Sequence, residues 1–241
     1  MPQTRFSLFG DRSFRSGLRT GLPVAVAGTA LAISFGVLAA PVMGTAAPIV
    51  MSAIVFAGSA QFGALAVLAA GGGPLAAVTA GVLLNSRYAP MGVALAPSLS
   101  GGPLKRMIKA QTMVDFSWAA AMRGSGRFDQ RFMIGATLPM YLGWVLGTAI
   151  GVAGGDLVGN PEALGLDAIF PAFFLALLLG GESPAERRSL TAALGGAAIA
   201  LALLPFTPPG VPIIVACLAA LVGLDRSRDR SAAREPAATG E

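Results

Sequence analysis

Two short polar segments interrupt apolar stretches in the first half of the chain, at residues 58–61 (GSAQ) and 85–88 (NSRY). The guanidinium of Arg87 can bind an anionic group through two parallel N–H donors, and free backbone N–H groups at a helix start add to such binding. Amide side chains and unwound carbonyls accept hydrogen bonds from a cationic group. The two segments therefore predict a binding site for a small polar solute. The candidate binding residues are Gly58, Ser59, Gln61, Asn85 and Arg87.

The same polar residues allow a second interpretation. Ser59, Gln61 and Asn85 can bond between helices, as polar side chains inside a membrane often do. Asp115 is the acid nearest the apolar runs with a cation available to it, either Arg87 or Lys109. Its carboxylate is predicted to be a counter-ion or a proton-coupling group, or else an acid on the polar face of an interfacial helix.

Other site chemistry has little support in this sequence. The chain has no histidine and one cysteine, Cys217, which lies in an apolar run. The commonest general base, metal ligand and proton switch are therefore missing, and no disulfide framework can form. No phosphate-binding glycine loop or nucleophile elbow is present. We expect no enzymatic activity, no metal site and no bound cofactor.

The composition predicts a membrane protein. Hydrophobic residues make up 54% of the 241 positions and charged residues 12%, about half the roughly 25% of soluble domains. The net charge of +5 collects in tails and short loops, where basic residues contact anionic lipid. Nucleic-acid binding is disfavoured because no basic face alternates with stacking aromatics. The first apolar stretch is longer than a signal-peptide core and predicts a retained helix.

Seven apolar runs approach the length of about 20 residues that spans the hydrocarbon core. They alternate with Gly- and Pro-rich turns, so the sequence predicts an all-α, polytopic integral membrane protein. Residues 18–224 are predicted to form one transmembrane transport domain between a basic cytoplasmic tail (1–17) and a charged cytoplasmic tail (225–241). The runs are 22–39, 49–70, 75–99, 132–153, 164–180, 190–204 and 211–224.

The distribution of Lys and Arg limits how these runs cross. With both tails in the cytoplasm, three complete crossings would leave the basic segment 105–109 outside, against the positive-inside rule. We therefore expect about six net crossings, with either 49–70 or 75–99 broken or re-entrant. These two runs also hold the polar segments, and unwound backbone inside a membrane commonly lines a binding cavity. Residues 105–122 are predicted to form a helix lying at the cytoplasmic face.

Glycine recurs every four residues in and just after the fourth run, at Gly143, Gly147, Gly151 and Gly155, and the first three form a ridge along one helix face. Such a ridge lets helix backbones approach closely in lipid. Its expected partner is a helix of the same bundle, with a subunit interface as the alternative.

Several sequence segments, taken in order, resemble the azaleucine-resistance AzlC family. These are 33–37 (ISFGV), 55–62 (VFAGSAQF), 85–88 (NSRY), 95–97 (LAP) and 165–174 (GLDAIFPAFF). The likeness covers about residues 18–224. It departs from the family at Phe116, where a Glu often follows the Asp, and at Tyr88, where the family has His.

This resemblance implies the large subunit of a two-component exporter of branched-chain amino acids. The implied substrates are valine, leucine, isoleucine and methionine, moved outward across the inner or plasma membrane with ion coupling. The implied partner is a small AzlD-type membrane protein. An amino-acid zwitterion suits the candidate site, which offers donors for a carboxylate and acceptors for an ammonium. The alternatives are a structural or assembly subunit and a passive small-solute channel.

Overall fold

The computed structural model describes residues 11–123, 126–158, 185–207 and 211–216, with residues 165, 168, 172 and 175. The described chain is predominantly helical, in agreement with the predicted class. A 3₁₀ turn (Ala96–Ser98) follows α5, and strands β1 (Met122–Arg123) and β2 (Arg127–Phe128) pair antiparallel before α8. The helices are α1 (Arg12–Met43), α2 (Ala46–Ile54), α3 (Gly58–Ala69), α4 (Pro74–Asn85), α5 (Tyr88–Leu95), α6 (Pro103–Ala110), α7 (Asp115–Ala121), α8 (Gln130–Val158), α9 (Ala185–Leu203) and α10 (Val211–Ala216).

The two longest helices, α1 and α8, run parallel and in contact along most of their length. Gly21 faces Ala136 near the start of both helices, and Gly36 faces Gly151 further along. A Cβ at Gly21 would overlap the carbonyl oxygen of Ala136, and one at Gly151 would overlap that of Ile33. The small residues thus bring the two backbones into direct contact, which stabilises helix pairs in lipid through dispersion.

The predicted glycine ridge lies at this interface. A Cβ at Gly147 would stand 2.7 Å from the carbonyl oxygen of Thr29 and 3.0 Å from the Cβ of Ala32. Gly143 also faces Thr29, whereas Gly154 has open space where a Cβ would be. Burial of the ridge within the chain's own bundle is therefore confirmed.

Basic residues gather where α1 and α8 begin, and we call this side of the molecule the basic end. Asp11 caps α1 by accepting the N–H of Ser13 at 2.9 Å, and it pairs with Arg131. Asp129 accepts the hydroxyl of Ser13 and lies 3.4 Å from Arg123. Lys109 also belongs here, since its Nζ donates to Gln130 Oε1 at 3.0 Å. The N-terminal, 105–109 and 123–131 basic clusters therefore share one end, as the charge pattern predicted.

The run 49–70 is a hairpin of two short helices, α2 and α3. The chain reverses at 55–57, where Phe56 has a φ of 45° and Ala57 is extended. Across the hairpin, Gln61 Nε2 donates to Ser52 Oγ at 2.8 Å. The tip points toward the basic end, because the hairpin enters from the far end of α1. Its 9 and 12 residues make helices of about 14 and 18 Å, too short to span the hydrocarbon singly.

The run 75–99 is interrupted too, but it continues in one direction. Helix α4 packs antiparallel to α3, with Ala77 and Ala80 against Ala64 and Val67. After the interruption at 86–87, α5 carries the chain on to the basic end, where Leu95 packs beside the first turn of α8. We expected one of the two runs to be broken, and the structure shows that both are. The run that turns back is 49–70.

Residues 105–122 differ from the single helix that the sequence predicted. Helix α6 lies across the basic end, where Arg106 Nη2 donates to Ala96 O at 2.8 Å. Residues 111–114 then extend into the bundle, and Thr112 O accepts the hydroxyl of Thr137 about 10 Å along α8 from its start. Helix α7 returns to the basic end. The turn at 111–114 leaves backbone groups that need partners, and Thr137 supplies one by donating to Thr112 O.

The remaining predictions concern the second half. The run 132–153 lies in α8, 190–204 in α9 plus Leu204, and the start of 211–224 in α10. The run 164–180 lies almost wholly outside the described residues, as does the tail 225–241. Within the described residues, α1 and the stretch Gln130–Gly155 are long and apolar enough to cross a membrane. Apolar side chains also cover the outer surface, among them Leu75 (81% exposed) and Val93 (75%).

Replacing Gly147 by Leu should destabilise the α1–α8 pair by about 1–3 kcal/mol or more, because the side chain meets backbone atoms. The expected result is a lower melting temperature in detergent and a lower yield of monodisperse protein. Gly154→Leu is the matched control, and it should behave like wild type. Equal melting temperatures for both variants would contradict this packing.

Acid should weaken the basic end. The hydrogen bond from Arg131 lowers the pKa of Asp11. Burial opposes ionisation of Asp129, yet the bonds from Ser13 and the Phe132 N–H hold its pKa below the usual value. Depressed pKa values mean that this stabilisation is present above about pH 4 and is lost as the pH falls further. We expect wild-type melting to drop more between about pH 5 and pH 3 than that of Asp11→Asn/Asp129→Asn. Parallel pH curves for the two proteins would contradict the assignment.

Candidate functional site

Arg87 lies at the interruption between α4 and α5. The backbone hydrogen bonds here are of the 3₁₀ type, joining residues three apart. They run from Ser86 N–H to Leu83 O (3.2 Å) and from Ala89 N–H to Ser86 O (3.1 Å). Pro90, in the first turn of α5, has no N–H with which to continue the ladder of α4. The side chain of Arg87 leaves the helix at the level where α3 begins.

The guanidinium of Arg87 uses four of its five N–H donors. Nε and Nη2 bind the two carboxylate oxygens of Asp115 at 3.0 and 2.9 Å, forming a two-point ion pair. Nη2 also donates to Ser59 Oγ at 2.9 Å, and Nη1 donates to Leu84 O at 3.1 Å. The structure therefore brings together three of the predicted residues, Ser59, Arg87 and Asp115.

The ion pair remains accessible within the chain. The side chain of Arg87 is 37% exposed and that of Asp115 is 58% exposed. The ring of Tyr88 covers one side of the pair, with its centroid 5.0 Å from the guanidinium carbon. A partly open ion pair can exchange partners with a solute, whereas a sealed one cannot.

The start of α3 adds to the positive potential at this point. Gly58 and Ser59 lead the helix, and the first α3 hydrogen bond is made by Gln61 N–H to Ala57 O. The N–H groups before it point out of the helix end and favour an anion. Gly58 is required here, since a Cβ would stand 2.7 Å from the ring of Trp144. The α3 start and Arg87, joined by the bond from Nη2 to Ser59 Oγ, both favour an anion, and Arg87 holds the carboxylate of Asp115.

Asn85 contributes an acceptor that nothing in the described chain uses. Its Oδ1 is buried and has no hydrogen-bond partner there. A buried amide oxygen without a donor costs about 1–3 kcal/mol. This residue ends α4, two positions before Arg87. The unpaired oxygen is what a site for a donor group requires.

Gln61 lies away from the ion pair, in a buried polar network. Its Oε1 accepts from Trp144 Nε1 at 2.9 Å and its Nε2 donates to Ser52 Oγ. Ser52 Oγ lies 2.8 Å from Thr148 Oγ1, which donates to Trp144 O at 2.9 Å. The network ties the α2–α3 hairpin to α8. The structure does not bring Gln61 to the other candidates, and it gives the side chain a helix-bridging contact.

The tip of the hairpin meets the α6–α7 segment, residues 103–121. Gln111 Nε2 donates to Ile54 O at 2.9 Å, and this carbonyl is the last of α2. On the other side of the same tip, Tyr141 donates to Ala53 O at 3.0 Å. Asp115 and Gln111 thus join the α6–α7 segment to two different places, the α4–α5 interruption and the hairpin tip.

Sequence reasoning did not find several of these partners. Tyr88 stood out as a departure from a family pattern, not as a neighbour of both charges. The sequence around Trp144, Ser52 and Thr148 does not indicate their polar contacts, because these contacts join positions far apart in the chain. The carbonyl of Leu84 had no signal at all, since any residue offers one.

Comparison with known proteins gives a family and several relatives. The family model described as AzlC protein matches residues 23–158. The inner membrane protein YgaZ of Escherichia coli is 29% identical over 88% of this chain and 91% of its own. The branched-chain amino acid transport protein AzlC of Bacillus subtilis is 29% identical over 87% of this chain and 83% of its own.

A membrane protein of Archaeoglobus fulgidus is 31% identical over 88% of this chain and 94% of its own. No solved structure matches the chain significantly. The relatives' names support a membrane location and a role in transport. Because the family model covers residues 23–158 of 241, more than half of the sequence, the chain belongs to the AzlC family.

Proposed function

We propose that this protein exports hydrophobic amino acids, such as valine, leucine, isoleucine and methionine, across the inner or plasma membrane. It acts as the large subunit beside a small AzlD-type membrane protein, with its transport coupled to an ion. It is a transporter and not an enzyme. The name of the Bacillus relative supports the branched-chain substrates, and the resemblance to the family supports the direction and the partner.

The observation that carries the proposal is Arg87 with its partners Asp115, Ser59 and Leu84 O. An arginine within an apolar helix run costs about 2.5–3.5 kcal/mol on insertion scales, so it needs protein or a wet cavity around it. Arg87 stands where α4 is interrupted and α3 begins, with its charge accessible. Interrupted helices that offer dipole ends and free backbone groups at one level are typical of transporter sites.

The groups around Arg87 suit an amino acid. The guanidinium and the start of α3 attract a carboxylate. Asn85, two positions before Arg87 in the chain, has a buried amide oxygen without a donor. Gln61 acts behind this site by fixing the hairpin to Trp144.

The same elements support a topology. In this proposal α1 and α8 cross outward, α4 with α5 crosses inward, and the α2–α3 hairpin enters from outside without crossing. The basic end then faces the cytoplasm, in keeping with the positive-inside rule. Three further crossings after α8 would bring the C-terminal tail to the cytoplasm, giving six in all.

Single cysteines in a Cys217→Ala background should report this topology. We expect Lys105→Cys and Arg127→Cys to react from the cytoplasmic side with a membrane-impermeant maleimide. Gly72→Cys, in the turn between α3 and α4, should react from the outside. Labelling of Lys105→Cys and Arg127→Cys from opposite sides would contradict the proposal.

Reconstitution tests the activity directly. Vesicles holding the protein and a small AzlD-type membrane protein should release labelled valine under an ion gradient, and vesicles without the protein should not. Leakage of unrelated small solutes would instead indicate a channel. Absence of any flux from the folded pair would indicate a structural or assembly subunit.

Arg87 variants test the site. Arg87→Ala should abolish efflux, and Arg87→Lys should leave weak efflux, because lysine keeps the charge but loses the planar two-point contact. Both should be measured as initial rates of labelled valine efflux at equal protein levels. Wild-type rates from folded Arg87→Ala would eliminate Arg87 as a binding residue.

A purely structural pair would behave differently. In that case Arg87→Ala alone would lower the melting temperature, and Arg87→Ala/Asp115→Ala would restore it, since neither charge is left unpaired. We expect a small melting change in both, because a pair this exposed contributes little stability.

A further inference from the structure

We propose that the transported amino acid binds between Arg87 and Asp115, replacing their ion pair. The substrate carboxylate takes the two-point contact on Arg87, and the released carboxylate of Asp115 accepts the substrate ammonium. This inference rests on the proposed function and makes Asp115 the residue that selects for a free amino group.

The geometry of the Arg87–Asp115 pair matches the contact proposed between Arg87 and the substrate carboxylate. Asp115 binds Nε and Nη2 of Arg87 through separate oxygens, at 3.0 and 2.9 Å, and a substrate carboxylate can make the same two contacts. Arg87 keeps its bonds to Ser59 Oγ and Leu84 O throughout, so the guanidinium stays in place. Asp115 therefore stands where the substrate carboxylate belongs.

Asp115 can move away where Arg87 cannot. It is the first residue of α7, at the end of the 111–114 turn, and its side chain is 58% exposed. Its contacts in the described chain are with Arg87 and, at 3.5 Å, with the hydroxyl of Tyr88. Once displaced, a carboxylate beside another carboxylate needs a cation, because like charges at this distance repel.

Charge balance then restricts the substrate class. A simple carboxylate would leave two anions at one guanidinium, and a simple amine would leave Arg87 without an anion. A zwitterion brings one charge of each sign and leaves neither residue unpaired. The structure thus favours free amino acids over the corresponding acids, amines and N-acylated forms.

Binding by the purified complex tests this selection. We would titrate wild type and Asp115→Asn with leucine, 4-methylpentanoate (leucine without its amino group) and 3-methylbutylamine (leucine without its carboxyl group). Wild type should bind leucine and neither analogue. Asp115→Asn should bind leucine roughly 10- to 100-fold more weakly, since a charge-assisted hydrogen bond is lost. The same variant should bind 4-methylpentanoate more tightly than wild type does, because Arg87 no longer has a competing anion.

Asp11→Asn is the matched control, as it breaks an Arg–Asp pair at the basic end. It should keep the wild-type order of affinities, and Asp115→Glu should restore leucine over 4-methylpentanoate. If the role of Asp115 were only structural, its substitution would weaken the binding of leucine and 4-methylpentanoate together and would not strengthen the binding of either.

The outcomes separate this inference from the proposed function. Wild type that exports leucine yet binds 4-methylpentanoate equally well overturns the inference alone. So does folded Asp115→Asn with wild-type affinity for leucine. Wild type that neither binds nor exports any amino acid overturns the proposed function, and the inference with it. If Asp115→Asn fails to fold, the analogue titration of wild type and Asp115→Glu still decides.

Discussion

A guanidinium held among apolar helices must find partners for its donors, and much of the first half of this structure follows from that demand. Arg87 donates to Leu84 O at the end of α4, to Ser59 Oγ at the start of α3, and to the carboxylate of Asp115 at the start of α7. Each partner lies where a helix stops or begins, because only there are backbone and side-chain groups free to face it. The interruptions at 55–57 and 86–87 are therefore part of one arrangement.

The frame that holds this arrangement has a different physical basis. Between α1 and α8, glycines such as Gly21 and Gly151 permit backbone contact, which provides close packing that does not depend on polar side chains. The hairpin is fixed to α8 by neutral hydrogen bonds in a definite order. Thr148 gives its proton to Trp144 O, so Ser52 must donate to Thr148 and accept from Gln61. The network uses every hydroxyl proton and both ends of the amide, and a fully satisfied buried network is rigid.

How far the sequence could predict this site depends on the kind of information each residue carries. A break in one of the runs 49–70 and 75–99 was predictable, because charge parity and misplaced polarity are properties of the chain read in order, but these properties left open which run turns back. So was the glycine ridge, whose period of four already defines a helix face. The direction of the Gln61 side chain was not, because Gln61 and Ser59 are separated by two positions and only packing decides which of the two contacts Arg87. The path of residues 111–121 into the bundle could not be predicted for a similar reason, because their partners Ile54 and Thr137 lie on other helices.

The Gln61 network and the Arg87–Asp115 pair also differ in how a bound solute would affect them. A ligand at Gln61 would have to break neutral bonds inside a closed loop and leave Ser52 or Trp144 buried without a partner, at about 1–3 kcal/mol for each. At Arg87 a zwitterion replaces one ionic partner with another, so no charge is left unpaired. The exchange moves Asp115, which belongs to the α6–α7 segment, while Arg87 stays with the frame. Substrate binding would then break the ion pair that joins this segment to Arg87, while the bond from Gln111 to Ile54 O still joins the segment to the hairpin tip.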